Sequence, residues 1–255
     1  MPKKPLVSII IPYHKKKKFF KFTIDSIKKQ SFQNFEVILI YDDIDLSELS
    51  FVKKKLSKIK NKKILLNKQI LGPGFSRNKG ISKSRGTYIT FCDADDIWNK
   101  NKLRYQLEFM TENELTFSHT SYDIIDYKNK KIGMFKVKTK ITYEDLIKSC
   151  DIGLSTVMLK KSLISKKNSF CKLKTKEDYF LWLNIIKNLK VIYGLNKSLS
   201  SWRFVEGSLS NSLYQKLIDA FRLYNSYEKY NFLISLFFVI RLSLYALVKK
   251  VKIYK

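Results

Sequence analysis

A chain of 255 residues, 45% of them hydrophobic, is long enough for one large α/β domain or two small ones. The 50 Lys and Arg residues outnumber the 22 Asp and Glu residues and give a net charge of +28, which favours a polyanionic partner such as nucleic acid, an anionic membrane surface or a phosphorylated substrate. The 3 cysteines lack CxxC spacing, which argues against a zinc site and indicates reduced thiols in a cytosolic setting. The apolar run in residues 1–11 is too short for a signal peptide, so we expect no export.

The first half of the chain alternates between short apolar runs and stretches in which hydrophobic residues recur at helical spacing. In chain order, this pattern predicts strands at 6–11, 35–41, 63–66 and 88–92, separated by helices at 19–30, 51–59 and 75–84. We expect the first strand to end at Pro12 and to lie at the centre of the sheet. The alternation predicts a doubly wound, mostly parallel α/β sheet with right-handed crossovers.

The second half of the chain is less regular. It predicts a helix at 101–110, a β-hairpin from 115–127 and 131–137, a short helix at 142–149, a strand at 155–159 and a helix at 179–189. Thr142 and Asp145 have the T-x-x-D spacing of a helix cap. Arg203 follows another possible strand, and two interpretations stay open for it: a contact to phosphate or to the acceptor side, or a structural arginine in a loop.

Acidic residues follow two of the predicted strands at the point where each strand ends. Asp93, Asp95 and Asp96 come directly after the strand at 88–92, and Asp42 follows the strand at 35–41. Ligands of open α/β sheets bind outside this edge, and the D-x-D carboxylates suit a hard cation such as Mg²⁺. The alternative is a solvated acidic loop or a helix N-cap at Asp96 or Asn99.

Two further acids, Glu177 and Asp178, precede the helix predicted at 179–189, which is apolar over much of its surface. They could lie in a cleft rather than in bulk water. The alternative is a favourable charge at a helix N-terminus, worth about 0.3–1 kcal/mol.

The last segment combines an apolar stretch, residues 232–248, with basic residues. Lys249, Lys250, Lys252 and Lys255 follow the stretch, and Arg241 interrupts it. The stretch is at or below the about 17–25 residues that span a bilayer, so the pattern favours a helix lying in the membrane interface with its lysines at anionic head groups. A helix that docks on the domain core or on a second copy is the alternative.

Four ordered motifs together resemble the inverting family 2 glycosyltransferases of the GT-A fold, most closely the bacterial enzymes of surface polysaccharide and lipopolysaccharide synthesis. The motifs are VSIIIPYHK, SFQNFEVILIYDD, GFSRNKGISKSRGTYITFCDADD and KEDYFLWL, and the similarity covers about residues 6–210. The resemblance implies transfer of a sugar from a nucleotide-sugar, with a divalent metal, Mn²⁺ or Mg²⁺, on the diphosphate. It also implies a GT-A domain at 1–212, followed by a helical, basic, membrane-associating segment at 213–255.

The resemblance also implies roles for individual residues. Pro12 and His14 would line the nucleoside pocket, although His14 stands where the family usually has tyrosine. Tyr41 replaces the first acid of the family's two-Asp motif, so Asp42 is the candidate for contacting the base, with Asp43 as the fallback. The remaining implied positions are Arg77 at the nucleotide with Asn78 behind it, Asp93 at the ribose or metal, Asp95 as the main metal ligand and Asp178 as the catalytic carboxylate.

The implied partners are a UDP-sugar donor, a glycan or lipid-linked acceptor and the anionic inner face of the cell membrane, with the enzyme cytoplasmic and peripheral. A metal-dependent nucleotidyltransferase is the nearest alternative, but it usually needs a glycine-rich phosphate loop, and the segment from Pro12 to Lys15 has no glycine. A nucleic-acid-binding protein is the other alternative. Because the lysines are spread over the whole chain and the acidic strand ends would repel phosphates, we expect no nucleic-acid partner.

Overall fold

A computed structural model describes residues 4–205 and 212–253, with side chains described through Val248. Within these ranges the strands are β1 (Val7–Tyr13), β2 (Phe35–Tyr41), β3 (Lys62–Leu66), β4 (Tyr88–Phe91), β5 (Ile97–Trp98), β6 (Phe117–Ile125), β7 (Lys131–Phe135), β8 (Lys140–Thr142), β9 (Met158–Lys160) and β10 (Val191–Arg203). The helices are α1 (Lys17–Lys28), α2 (Leu49–Leu56), α3 (Pro73–Lys83), α4 (Lys102–Glu112), α5 (Tyr143–Leu146), α6 (Glu177–Leu189), α7 (Leu213–Arg222) and α8 (Phe232–Ile253).

One sheet runs through the molecule in the order β3-β2-β1-β4-β9-β6-β10-β5, with β7 paired to β6 and β8 paired to β10. The first four strands of this order are parallel, and β6 and β10 form a second parallel pair. Short antiparallel strands, β9 and β5, join or flank these groups. The mixed α/β class and the central position of β1 are confirmed.

Helices cover both faces of the sheet because alternate residues of the buried strands face opposite sides. Val7, Ile9 and Ile11 of β1 belong to a hydrophobic cluster with α1, α2 and α4. Ile10 belongs to the opposite cluster, which includes residues of α3, α5 and α6, with Trp182 fully buried in it. The sheet is therefore doubly wound, as the sequence predicts.

Two predicted strand boundaries are wrong. β1 continues past Pro12 to Tyr13, because beyond Ile10 the strand is paired only to β2 and the missing N–H of Pro12 interrupts no ladder on the β4 side. The strand predicted at 155–159 is instead a 3₁₀ turn, Leu154–Thr156, followed by the short strand β9. The cap predicted at Thr142 is confirmed, because Thr142 and Asp145 bond each other's backbone N–H groups at the start of α5.

The C-terminal helices pack one face against the cluster that contains α6. Leu223 and Tyr224, in a π-helical turn after α7, and Val239 and Leu242 of α8 are buried there. Arg241 turns inward and donates through Nη2 to Ile147 O at 3.2 Å. No helix in the described part of the chain is long and apolar enough to cross a membrane. The lysines predicted to meet lipid head groups after Val248 have side chains outside the described residues.

Candidate active site

A cavity of about 820 Å³ opens at the carboxyl ends of β1, β2 and β4. It brings together the residues for which the sequence predicts a site: Pro12, His14, Asp42, Arg77, Asp93, Asp95 and Asp178. Residues distant in sequence meet here because the parallel strands end at one edge of the sheet, where the chain leaves the hydrophobic layers. The start of α6 also lines the cavity.

The end of β2 holds Asp42 in one orientation. Asp42 Oδ1 accepts hydrogen bonds from Asn67 Nδ2 at 2.7 Å and from Leu71 N at 2.8 Å, and the residue is buried. His14 Nδ1 lies 2.8 Å from Asp42 O, so this nitrogen carries the proton and donates, because a carbonyl oxygen can only accept. Asp43, the fallback for contacting the base, accepts instead from the backbone of its own turn through Asp45 N.

Tyr41 stands where the family usually has an acid, and it belongs to the hydrophobic core rather than to the cavity. Its ring stacks on Tyr13 with 5.5 Å between centroids, and its hydroxyl donates to Asp45 O at 2.8 Å. The ring therefore closes the core at the end of β2, and Asp42 is the carboxylate that this strand presents to the cavity.

Arg77 on α3 joins the two acidic segments of the site. Its Nη2 donates to Asp93 Oδ1 at 2.8 Å, and its Nη1 donates to Glu177 Oε1 at 2.7 Å. The side chain is 4% exposed and lies over the ring of Phe170. Burial acts to lower the pKa of Arg77, but the neighbouring carboxylates raise it overall, so the guanidinium stays charged. The contact to the nucleotide that the resemblance implies for Arg77 would therefore come from a guanidinium that already binds two carboxylates, Asp93 and Glu177.

Besides Arg77, two further basic residues, Lys16 and Arg203, contact the acidic loop that follows β4. Lys16 Nζ lies 2.6 Å from Asp95 Oδ2. Burial raises the pKa of Asp95, and Lys16 opposes this effect. Asp96 Oδ1 accepts from Arg203 N at 3.0 Å rather than capping a helix, and burial raises its pKa well above the usual range. The N-cap residue of α4 is Asn101, so the cap predicted at Asp96 is wrong, whereas the Asn99 side chain does accept from Asn101 N at 2.9 Å just ahead of the helix.

Arg203 supports the acidic loop from behind. Its guanidinium donates to Asp95 O, Asp126 O and Asn129 Oδ1 at 2.9, 2.7 and 2.6 Å, and it lies over the ring of Phe19. Protein acceptors thus engage the guanidinium on all its nitrogens. Of the two interpretations left open for Arg203, the structural one fits this geometry.

Glu177 and Asp178 line the cavity at the first turn of α6. Asp178 is half-buried, and its Oδ1 accepts from Tyr179 N at 2.7 Å. Burial raises the pKa of Asp178, against the opposing effect of Arg77. Burial likewise raises the pKa of Glu177 to about 7. Their location in a cleft agrees with the first of the two alternatives drawn from the sequence.

The donor set facing the cavity suits a hard divalent cation that is shared with a substrate. Asp93 and Asp95 supply carboxylate oxygens, and Mg²⁺ commonly binds one or two carboxylates together with substrate phosphates. Across residues 4–205 and 212–253, no group of three or more His, Cys, Asp or Glu side chains is arranged to hold a metal ion by itself. The residues therefore fit a metal that arrives with phosphate oxygens.

Other residues that shape the cavity have no motif in the sequence. Asn67 orients Asp42, and Ser155 accepts from Asp93 N at 3.1 Å through its hydroxyl oxygen. Trp202, Lys174 and Lys216 line the wall contributed by the second half of the chain. Their positions depend on the irregular strands and loops after Asp96. In a single sequence, polar residues that line a cavity look the same as ordinary polar loop residues, so these positions could not be identified in advance.

The fold is that of the GT-A transferases. The mannosyltransferase PcManGT from Pyrobaculum calidifontis, in complex with GDP-Man and Mn²⁺, superposes with a TM-score of 0.69 over 93% of this chain and 70% of that one, at 10% identity. A family model, glycosyl transferase family 2, matches residues 8–168. The chain therefore belongs to glycosyl transferase family 2, and it is an inverting glycosyltransferase.

Two sequence relatives extend the match over most of the chain. The UDP-Glc:alpha-D-GlcNAc-diphosphoundecaprenol beta-1,3-glucosyltransferase WfgD of Escherichia coli is 35% identical over 83% of this chain and 82% of its own. TuaG of Bacillus subtilis, named for teichuronic acid biosynthesis, is 29% identical over 90% of this chain and 91% of its own. The predicted family, fold and enzyme class are thereby confirmed. The nucleotidyltransferase and nucleic-acid-binding alternatives are not favoured.

Proposed function

We propose that this chain transfers a sugar from a UDP-sugar to a hydroxyl of a lipid-linked glycan during synthesis of a cell-surface polysaccharide. The observation that carries the proposal is a single cavity that Asp93, Asp95 and Asp178 line together at the carboxyl edge of the sheet. The names of two relatives support the donor, the acceptor and the pathway class, since one acts with UDP-Glc on a diphosphoundecaprenol-linked sugar and the other is named for teichuronic acid biosynthesis.

The nucleoside would lie between the ends of β1 and β2. Asp42, fixed by Asn67 Nδ2 and Leu71 N, is oriented to accept from the base, and Pro12 and His14 form the adjoining wall. Because Arg77 is committed to Asp93 and Glu177, its proposed role is to hold the acidic segments around the nucleotide.

Asp95, with Asp93 beside it, would hold the divalent metal together with the diphosphate oxygens. The metal supplies charge neutralisation on the leaving nucleoside diphosphate. Asp93 is kept in place by Arg77 Nη2 and by Ser155 Oγ, which accepts from its backbone N–H. Asp95 is paired instead with Lys16, whose long and flexible side chain can be displaced when the metal binds.

Asp178 is the proposed general base. The acceptor hydroxyl attacks the anomeric carbon as the bond to the diphosphate oxygen breaks; its proton goes to Asp178, and the electron pair of the broken bond leaves with the diphosphate. Attack from the face opposite the leaving group inverts the configuration. Burial raises the pKa of Asp178, which makes the carboxylate a stronger base than an exposed aspartate.

We extend the proposal to a catalytic domain at 1–212 and a membrane-associating segment at 213–255, with the enzyme peripheral on the inner face of the membrane. The outward face of α8 carries exposed apolar side chains, which suit the boundary between head groups and acyl chains. They include Leu233, Phe237, Ile240, Leu244 and Leu247. The net charge of +28 favours an anionic lipid surface.

Calorimetric titration with UDP, GDP, ADP and CDP, with and without Mn²⁺, tests the proposed donor site. We expect UDP to bind most tightly and to need the metal. Asp95→Ala should lower the metal-dependent affinity about 10–100-fold, which corresponds to the loss of a charge-assisted contact of about 1.5–3 kcal/mol. Asp25→Ala, which removes a partly exposed carboxylate on α1, is the matched control. Failure of every nucleotide to bind the wild-type protein with Mn²⁺ would overturn the proposed function.

A further inference from the structure

The wall of the cavity next to Asp178 is built by two segments that one buried carboxylate ties together. Asp219 on α7 is 1% exposed, and its Oδ2 accepts from Lys174 N, Thr175 N and Thr175 Oγ1 at 3.0, 2.9 and 3.0 Å. Lys174 and Thr175 lie on the loop that leads directly into Asp178. The orientation of α7 is therefore fixed relative to the proposed base.

This wall presents two lysines to the cavity, one from each segment. Lys174 lies on the loop before α6, and Lys216 lies on α7, and both line the same cavity as Asp178. The acids of the D-x-D loop already have cations of their own, since Arg77 pairs with Asp93 and Lys16 with Asp95. Lys174 and Lys216 are therefore not the cations that pair with Asp93 and Asp95.

An apolar surface adjoins these lysines. On α7, Leu213, Tyr214 and Leu217 are 69, 77 and 39% exposed, within one turn of Lys216. Phe221 on α7 contacts Phe232 on α8, with 5.4 Å between ring centroids, so the surface continues onto the outward face of α8. We refer to the exposed apolar residues of α7 and α8 as the apolar crest.

We propose that Lys174 and Lys216 bind the diphosphate of a lipid-diphosphate-linked acceptor sugar, and this inference rests on the proposed function. The lipid chain would follow the apolar crest into the membrane, and the sugar on the other side of the diphosphate would reach Asp178. Ammonium groups bind phosphate oxygens through charge-assisted hydrogen bonds, and two cations match the charge of a diphosphate diester. Lys174 and Lys216 line the cavity together with Asp178, and the apolar crest adjoins Lys216 on α7, so one wall offers surfaces for the lipid, the diphosphate and the sugar of such an acceptor.

Equilibrium binding of farnesyl diphosphate to full-length protein saturated with UDP and Mn²⁺ tests the lysines without requiring turnover. Saturation blocks the donor site, so the probe reports on the second diphosphate site. We expect the double variant Lys174→Ala/Lys216→Ala to bind the probe at least about tenfold more weakly, as expected for the loss of charge-assisted hydrogen bonds. Lys53→Ala/Lys54→Ala, on exposed positions of α2, is the control with the same change in charge. Equal affinity of the two double variants would overturn the inference.

Transfer assays in detergent then separate the acceptor diphosphate from anionic head groups. One acceptor is GlcNAc joined through a diphosphate to a short phenoxyalkyl chain, and the other is the matching alkyl glycoside without the diphosphate. The double variant should raise KM for the first at least tenfold more than KM for the second. An equal change for both acceptors, or a loss seen only on vesicles that contain phosphatidylglycerol, would overturn the assignment to the acceptor. If the wild-type protein binds UDP but neither lysine affects the probe, the inference alone fails; if no nucleotide binds, the proposed function fails.

Discussion

The two halves of the molecule reach the same cavity in different ways. In the first half, residues 4–96, the site residues follow buried parallel strands or lie at the start of α3, so the positions of Asp42 and Asp93 follow from the hydrophobic register of β2 and β4. In the second half, residues 97–205, the lining side chains come from a 3₁₀ turn, a loop, a helix start and the irregular strand β10. A regular framework thus presents the proposed donor site, and an irregular one presents the proposed acceptor side.

Arg77 connects the halves. The same guanidinium contacts Asp93 in the first half and Glu177 in the second, and both carboxylates line the cavity. The proposed metal-binding loop and the helix that carries Asp178 are therefore positioned by one side chain. If the comparison of the halves is correct, changes at Asp178 should affect chemistry alone, whereas changes at Arg77 should affect both halves.

Asp178→Asn should have the largest effect on the reaction. The amide cannot accept the proton of the acceptor hydroxyl, so kcat should fall about 10²–10⁴-fold, the usual contribution of a general base. UDP affinity in the presence of Mn²⁺ should stay close to that of the wild type, as measured by calorimetry. Glu112→Gln, at an exposed position of α4, is the control. A parallel loss of UDP binding would show that Asp178 belongs to the donor site instead.

Arg77→Met should destabilise the protein most. It leaves Asp93 and Glu177 without their shared cation, and breaking a buried pair costs about 3–5 kcal/mol. Urea unfolding monitored by tryptophan fluorescence measures the change. Arg104→Met removes the exposed pair with Glu108 on α4 and should cost less than about 1 kcal/mol. Similar losses for the two variants would contradict the role of Arg77 as the link between the halves.

Much of the first half could be predicted from the sequence because its central strands, β1 and β2, are largely apolar runs that are buried on both faces. The bounds of β2 agree with the prediction to the residue, and the acids at the strand ends meet at one edge as parallel pairing requires. Even here the effect of Pro12 was not predictable. It depends on β4 pairing with a shorter stretch of β1 than β2 does on the opposite side, which is a property of the sheet and not of the local sequence.

The second half shows why the rest could not be predicted. Strand β10 is 13 residues long but is mostly polar from Asn196 to Ser201, with Leu199 as the one apolar residue there, and its pairing with β6 shifts register twice. Alternation of polar and apolar residues is lost where the register shifts, so the sequence indicates only a possible strand before Arg203 and not its bounds. The pairing of Arg77 with Glu177 spans 100 residues, and nothing in either local sequence indicates it.

The second-half partner of Arg77 also predicts a pH effect on stability. Burial raises the pKa of Glu177 to about 7 from its ordinary value of 4.5. Between these values the folded protein holds a proton that the unfolded chain has released, so this residue's contribution to stability falls as pH rises. Glu177→Gln keeps a hydrogen-bonding group at Arg77 and removes the titration. The free energy of unfolding of the variant relative to the wild type should therefore rise by about 3 kcal/mol from pH 4.5 to above pH 7.

Urea unfolding at a series of pH values measures this difference, with Glu112→Gln as the control. Many other groups titrate over the same range, but those that do not interact with Glu177 are common to variant and wild type and cancel in the difference; Asp178, whose charge acts on Glu177, contributes to the measured difference. Parallel stability curves for Glu177→Gln and the wild type would show that Glu177 is ionised throughout, held by Arg77.

The smallest predicted effect concerns Lys16, which lies entirely within the first half. Its ammonium is 2.6 Å from Asp95, so a divalent cation that binds Asp95 must displace it. The preceding residue, Lys15, has a φ of 48°, a left-handed conformation that is uncommon for residues other than glycine. Lys16→Met should therefore tighten Mn²⁺ binding to the nucleotide-free protein about fivefold, the equivalent of a partly exposed ion pair worth about 1 kcal/mol. Electron paramagnetic resonance of free Mn²⁺ measures the affinity, and Lys21→Met, at an exposed position of α1, is the control.

Because Lys16 does not contact Glu177 or Arg77, the Lys16 variant should leave the pH dependence of stability unchanged. Unchanged Mn²⁺ affinity would mean that the cation does not bind at Asp95.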